Sequence, residues 1–330
     1  MSVLLPVRDA QATLPACIAS LRAQTLEDHE VVAVDDGSRD GSAETLHEVA
    51  AADARWRVVG GPARGLVAAL NEGAAQARAP VLARMDADDT CAPDRLARQW
   101  AFLQANPGVD VLATRVELVG GRDNAGMHAH VAWSNGLLDH VAIAANAYVE
   151  SPLVHPSVAL RRESLARLGG YRDFEGPEDY DLWLRALAAG QRFAKLPEVL
   201  LRWSDGPGRL TRVDARYGPD RFRALKIEAL ERGPLRGGRP VVIWGAGPIG
   251  KRWARELAAR GHVVAALADV HPRRLGVHIK GVPVVGSARA AAEPGALHLA
   301  AVGQPGGRDR VRAEARGFGL RDGLDLFAVA

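Results

Sequence analysis

Apolar residues in the first hundred positions follow two periods. Short unbroken runs at 3–5, 31–34 and 79–83 each end in a polar or acidic break. They are too short for helices and predict strands buried on both faces. The stretches 14–24, 42–52 and 66–77 space their apolar residues as one helical face, and a short strand is expected at 57–59. Pro93 stands where a first helical turn begins, and that helix is expected to run to about residue 104. Such βαβα alternation predicts an α/β fold with a parallel sheet covered by helices on both faces. In such sheets ligands bind at the carboxyl ends of the strands.

Farther along the pattern weakens. Residues 120–135 are rich in Gly, His and Asn with little periodicity and predict a mobile loop. A second group of motifs follows at 154–157, 169–171 and 176–185, the last opening a helix. Residues 204–212 read as loop, and an amphipathic helix is expected over 214–232. The stretch 233–239, with three glycines and Pro234 among them, signals a linker. After it a strand at 240–244, the turn Gly245-Ala246-Gly247-Pro248-Ile249-Gly250, a helix to 260 and a strand ending at Asp269 predict a second, smaller α/β unit. The expected division is 1–232, linker 233–239, and 240–330.

Composition narrows the class. Of 330 residues, 48% are hydrophobic and 25% charged, as in ordinary globular proteins. A net charge of +3 on 42 basic and 39 acidic residues is too small for a nucleic-acid partner. It fits phosphate-bearing ligands or peripheral contact with an anionic membrane face. Two cysteines make neither a disulfide framework nor a metal cluster and agree with a cytoplasmic location. The first residues, MSVLLPVRDA, read as a strand rather than a signal peptide, and no apolar run reaches the ~18 residues of a membrane span.

Two strand ends carry concentrated acid. RMDADD at 84–89 places Asp86, Asp88 and Asp89 at the end of a buried strand. Carboxylates so close repel one another unless a cation or hydrogen-bond donors neutralise them, and a divalent metal bridging to a diphosphate would do so. Helix capping is the plainer alternative, and Asp89 fits it. Asp35-Asp36-Gly37-Ser38 repeats the logic one strand earlier, either as a capped turn or as acceptors for a nucleobase or ribose. Glu178-Asp179 opens a helix, where the dipole favours carboxylates; the functional alternative is a general base for an acceptor hydroxyl.

Taken together, residues 2–205 resemble inverting glycosyltransferases of family 2, which have the GT-A nucleotide-diphospho-sugar fold. The resemblance lies in VLLPVRDA at 3–10, VVAVDDGSRDGS at 31–42, GLVAALNEGAAQARAPVLARMDADD at 65–89, HPSVALRRESLARLGGY at 155–171 and EDYDLWLR at 178–185. It implies a nucleotide pocket lined by Pro6, Val7 and Arg8. Asp36, before Asp35, is implied to contact the base, with Arg64 and Arg84 flanking the nucleotide. It further implies Asp86 near ribose or metal, Asp88 as ligand of Mg2+ or Mn2+, Asp179 as base beside Glu178, and His155 on the acceptor or phosphate side. The implied reaction transfers a sugar to a hydroxyl in polysaccharide, lipopolysaccharide or another glycoconjugate. Many relatives carry a histidine after the strand that here ends in Trp203; Ser204-Asp205 stands instead, leaving Asp205, Arg209 and Arg212 as replacements.

In the second unit Gly245, Gly247 and Gly250 followed by Asp269 have the spacing of a dinucleotide-binding turn. Glycines that only permit close helix–strand packing give the same pattern, and Pro248 removes a donor from the loop. With no second catalytic set in view, a structural, acceptor-presenting or regulatory role is expected. Two alternatives remain: a sensor that binds a nucleotide sugar or dinucleotide without turnover, and a transferase fused to an NAD-dependent oxidoreductase.

Overall fold

The central strands alternate their burial between two cores, as unbroken apolar runs require. Along β1 (Ser2–Val7), Val3, Leu5 and Val7 enter one cluster with Val31 and Ala33, while Leu4 enters the opposite one with Leu82. The computed structural model describes residues 1–120, 124–206, 212 and 214–330. β2 (Glu30–Asp35), β3 (Trp56–Gly60) and β4 (Val81–Arg84) run parallel to β1 in the order β3-β2-β1-β4. The sheet order reverses beside β1, so the carboxyl ends of β1, β2 and β4 surround one crevice.

The helices α1 (Leu14–Arg22), α2 (Ser42–Ala52), α3 (Leu66–Gln76) and α4 (Arg95–Ala105) lie where helical spacing puts them. The sheet is not parallel throughout. β5 (Thr90–Cys91), β6 (Val111–Gly120), β7 (Ala159–Arg161) and β8 (Phe193–Asp205) extend it to eight strands in the order β4-β7-β6-β8-β5. β7 is antiparallel to both β4 and β6, and β5 to β8. Helices lie between these strands too, α4 before β6 and others before β7 and β8, so the alternation of elements continues while strand direction changes, and the apolar runs alone carry no sign of direction.

The loop expected at 120–135 is instead helix α5 (Ala125–Asn135); residues 121–123 lie outside those described. Asn124 caps it by accepting the Met127 N–H at 3.1 Å, and Val131 and Ser134 are buried. So few apolar residues give almost no periodicity, yet a cap and two buried side chains suffice once β6 lies beneath. Two short helices, α6 (His140–Asn146) and α7 (Arg162–Arg167), precede α8 (Glu178–Ala188).

The chain forms two compact units, Met1–Ile143 with Pro152–Gly218, and Ala144–Ser151 with Pro219–Ala330. This grouping differs from a division at 233–239. The helix expected over 214–232 breaks at Gly218 into a 3-10 turn (Ala215–Tyr217) and α9 (Pro219–Arg232). Ile227 and Leu230 of α9, with Leu235, then pack into the second unit's core. That unit's sheet contains β9 (Val241–Trp244), β10 (Val264–Ala268), β11 (His278–Ile279), β12 (Val282–Val285), β13 (Leu297–Ala300) and β14 (Leu326–Ala328). Their order is β11-β12-β10-β9-β13-β14, parallel except for β11. α10 (Pro248–Ala259), α11 (Ser287–Ala291) and α12 (Gly307–Gly317) complete it. Among the described residues no helix is long and apolar enough to cross a membrane.

Candidate active site

The loops after β1 and β2 are laced together by side chains of the DGSRDGS stretch. Ser38, Asp40 and Ser42 accept the backbone N–H groups of Asp9, Gln11 and Ala10 at 3.1, 2.9 and 2.9 Å. Asp35 accepts the Ser38 N–H at 3.2 Å and so shapes its own turn. Asp36, also buried, accepts the N–H groups of Arg64 (2.7 Å) and Gly65 (3.0 Å), fixing the entry to α3. Arg8 reaches Asp36 at 3.5 Å from a half-exposed position, and Arg64 points toward Glu72 at 3.6 Å. Pro6 and Val7 stand opposite Val34 and Asp35 across the sheet. Asp36 therefore orders three loop segments around the pocket expected to hold a nucleotide.

At the end of β4 the acids are held from below. The guanidinium of Arg84 is fully buried; Nη2 donates to Asp86 Oδ1 at 2.5 Å and Nη1 to the Met85 carbonyl. Burial pushes its pKa down, but Asp86 and then Tyr171 outweigh that and raise it. Arg84 Nε has no hydrogen-bond partner among the described residues. A second buried cation, Arg95 of α4, donates to the carbonyls of Arg84 and Pro156, both at 2.7 Å. Gln99 adds a bond to the Ser157 carbonyl at 2.9 Å. Sequence reasoning missed both residues; their spacing of four on α4, with no core role for a charge, is the only signal.

Asp86, Asp88 and Asp89 can bring one carboxylate oxygen each within 4.8 Å of one another. Asp88 is exposed, Asp86 half-buried and Asp89 buried. Asp89 Oδ1 accepts the Ser204 N–H at 2.7 Å, and Ser204 Oγ donates to the Asp88 carbonyl at 2.6 Å. Ser204 thus ties the acidic loop to the end of β8, a role not foreseen. Asp205 accepts from Arg212 at 2.6 Å and from Asn124 at 3.3 Å, so these two replacement candidates face each other; Arg209 lies outside the described residues.

The third side of the site is the first turn of α8. Asp179 is half-buried, with its Oδ1 accepting the Tyr180 N–H at 2.7 Å. Glu178 is buried: Oε2 accepts from Tyr217 Oη at 2.6 Å, and Oε1 lies 3.7 Å from His155 Nδ1. Burial pushes the Glu178 pKa up, but His155 and Tyr217 prevail and hold it below the usual range. His155 Nε2 meets Tyr171 Oη at 3.0 Å; burial, reinforced by Arg84, lowers the pKa of this imidazole. Asp181, farther along the first turn of α8, is committed to Arg185 at 2.7 Å and Arg172 at 3.1 Å. Arg84 and Asp86 are electrostatic neighbours of His155, Tyr171 and Glu178, so the end of β4 and the start of α8 share one field.

In the second unit most of the candidate nucleotide residues make close contacts within the fold. A Cβ on Gly250 would lie 1.8 Å from the Gly245 carbonyl, and one on Gly245 (φ +116°) 2.9 Å from the Ala301 carbonyl. Asp269 accepts the N–H groups of Ala246 (3.2 Å) and His271 (2.8 Å) and pairs with Arg274 at 2.9 Å. Only Gly247, at the start of α10, faces open space. With both Asp269 oxygens engaged, NAD added to the intact protein is expected to give no heat of binding at micromolar concentration in calorimetry. A micromolar Kd would restore the oxidoreductase alternative.

Comparison with known proteins agrees with this geometry. The model of the family described as Glycosyl transferase family 2 matches residues 2–169. An uncharacterized glycosyltransferase of Haemophilus influenzae is 31% identical over 209 residues, 63% of this chain and 76% of its own length. The amylovoran biosynthesis glycosyltransferase AmsE of Erwinia amylovora is 32% identical over 210 residues, 61% of this chain and 74% of its own. Among solved structures, S. aureus TarS 1-349 in complex with UDP-GlcNAc aligns with a TM-score of 0.55 at 17% identity, covering 72% of this chain and 74% of that one. The mannosyltransferase PcManGT of Pyrobaculum calidifontis, in complex with GDP-Man and Mn2+, aligns with a TM-score of 0.51 at 20% identity, covering 79% of each chain. The fold is that of the GT-A glycosyltransferases, and the chain is a glycosyltransferase belonging to glycosyl transferase family 2.

Proposed function

We propose that the protein is a metal-dependent, inverting transferase that moves one sugar from a nucleoside-diphosphate donor to a hydroxyl of a growing polysaccharide or related glycoconjugate. The observation that carries the reading is the Asp86-Asp88-Asp89 cluster at the end of β4, which shares electrostatic neighbours with the carboxylate-bearing start of α8. The product class rests on relatives such as AmsE.

Three carboxylates offer the hard oxygen donors that Mg2+ or Mn2+ takes, and the Mn2+ in PcManGT supports such an ion here. Asp86 and Asp88 would hold it, Asp89 being committed to Ser204; bound there, it would offset charge on the donor diphosphate. Arg84 holds Asp86 in place. Asp36 orders the loops that cradle the nucleotide, with Arg8 and Arg64 at its rim. The acceptor hydroxyl gives its proton to Asp179 as its oxygen bonds to the anomeric carbon. The bond from that carbon to the diphosphate oxygen breaks on the opposite face, the nucleoside diphosphate leaves with the electron pair, and the anomeric configuration inverts.

The first unit carries this chemistry in our reading, and the second serves regulation or acceptor presentation. Residues 270–292 of the second unit contain no acid and four Arg or Lys, which favours peripheral contact with an anionic membrane face. The test of the main reading is a thermal-shift screen of UDP- and GDP-sugars with Mn2+. A donor of this class is expected to raise Tm only when the ion is present. No shift from any nucleotide sugar would defeat the proposal.

A further inference from the structure

The 3-10 turn Ala215–Tyr217 turns back toward the start of α8. Asp214 caps it, accepting the Arg216 N–H at 2.9 Å and pairing with the Arg216 guanidinium at 2.6 Å, so the turn is internally braced. Tyr217 then donates to Glu178 at 2.6 Å, and the contacts continue through His155 (3.7 Å) to Tyr171 (3.0 Å). Four side chains from four separate segments make one line. Glu178, His155 and Tyr171 are 5%, 8% and 3% exposed. A buried carboxylate that loses a donor is costly, so Glu178 cannot swing away without leaving charge unmatched. Burial, then the charge of Glu178, push the Tyr217 hydroxyl's pKa up, so it stays a proton donor.

Glu178 is the first residue of α8 and Asp179 the second. We infer that Tyr217 is a positioning residue for sugar transfer: by holding Glu178 it fixes the first turn of α8 and so the direction of the Asp179 carboxylate. The inference rests on the reading of Asp179 as the base. Small misplacements of a catalytic group are expensive in rate, with a 1 Å error costing up to about a hundredfold.

The experiment measures nucleoside diphosphate released from UDP-GlcNAc or GDP-mannose by the full chain, with kcat and donor KM determined separately. Tyr217→Phe keeps the ring and its packing but removes the hydroxyl. It is expected to lower kcat between roughly 10- and 100-fold with donor KM nearly unchanged. On a Glu178→Gln background the same change is expected to cost almost nothing more, because Tyr217 acts through Glu178. Wild-type kcat in Tyr217→Phe overturns the inference. So does an equal factor in both backgrounds, the mark of a merely structural role. Thermal melts set an assay temperature at which every variant is folded. A wild-type chain that releases nothing from either donor but binds one defeats the reading of Asp179 and this inference with it, before any variant is compared.

Discussion

Replacing Asp179 with Asn is expected to slow sugar transfer by roughly a hundred- to ten-thousand-fold, the usual contribution of a positioned base. Asn keeps the shape and the bond from the Tyr180 N–H, which already reaches Asp179 Oδ1 at 2.7 Å, but cannot take a proton. Donor affinity should hardly change, because Asp179 stands on α8 while the expected nucleotide contacts stand at the ends of β1, β2 and β4. The start of a helix favours an ionised carboxylate, the form a base needs before reaction. Glu178 is the less suitable neighbour: its two oxygens are directed to Tyr217 and His155. Kinetics of both variants separates the roles. Near-normal kcat in Asp179→Asn together with a large loss in Glu178→Gln would reverse them.

Asp88→Ala is expected to weaken Mn2+-dependent binding of a nucleoside diphosphate by at least the roughly 10- to 100-fold that loss of an outer partner of a metal site costs. Asp88 is the exposed member of the acidic cluster, and the Ser204 bond to this residue goes to its backbone carbonyl. Removing the carboxylate therefore leaves the loop tied. Calorimetry with UDP or GDP, with Mn2+ and with EDTA, is the measurement. Equal affinities in wild type and variant would remove Asp88 from the ion, and equal affinities with Mn2+ and EDTA would remove the ion from binding.

The parallel half of the first sheet was legible because β1, β2 and β4 must be apolar on both faces, and their acidic ends have no place in a core. β6 and β7 were not, and of β8 only the end near Trp203 was, since β7 lies antiparallel between strands from distant parts of the chain and pairing partners leave no mark on either sequence. α5 was hidden by its polarity: only Met127, Val131 and a capping Asn124 argue for it. Arg95 and Tyr217 escaped notice for a related reason. Their partners are two carbonyls and a carboxylate that tertiary folding delivers, and neither residue sits in a motif. Asp36 is expected to contact the base, and what the sequence does not show is that its carboxylate also accepts the backbone N–H groups of residues 64 and 65.

The lacing of the first two loops limits how this enzyme can change over generations. Ser38, Asp40 and Ser42 each satisfy a main-chain donor of the neighbouring loop, and Asp36 satisfies two more. Exchanging any of them loosens the frame before it alters what the frame recognises. Arg8, Arg39 and Arg64 sit on the same loops with exposed side chains. With the proposed nucleotide pocket at these loops, a lineage adopting a different donor base would vary these three at little structural cost, and drift in preference would belong at the rim while the braced interior stays put.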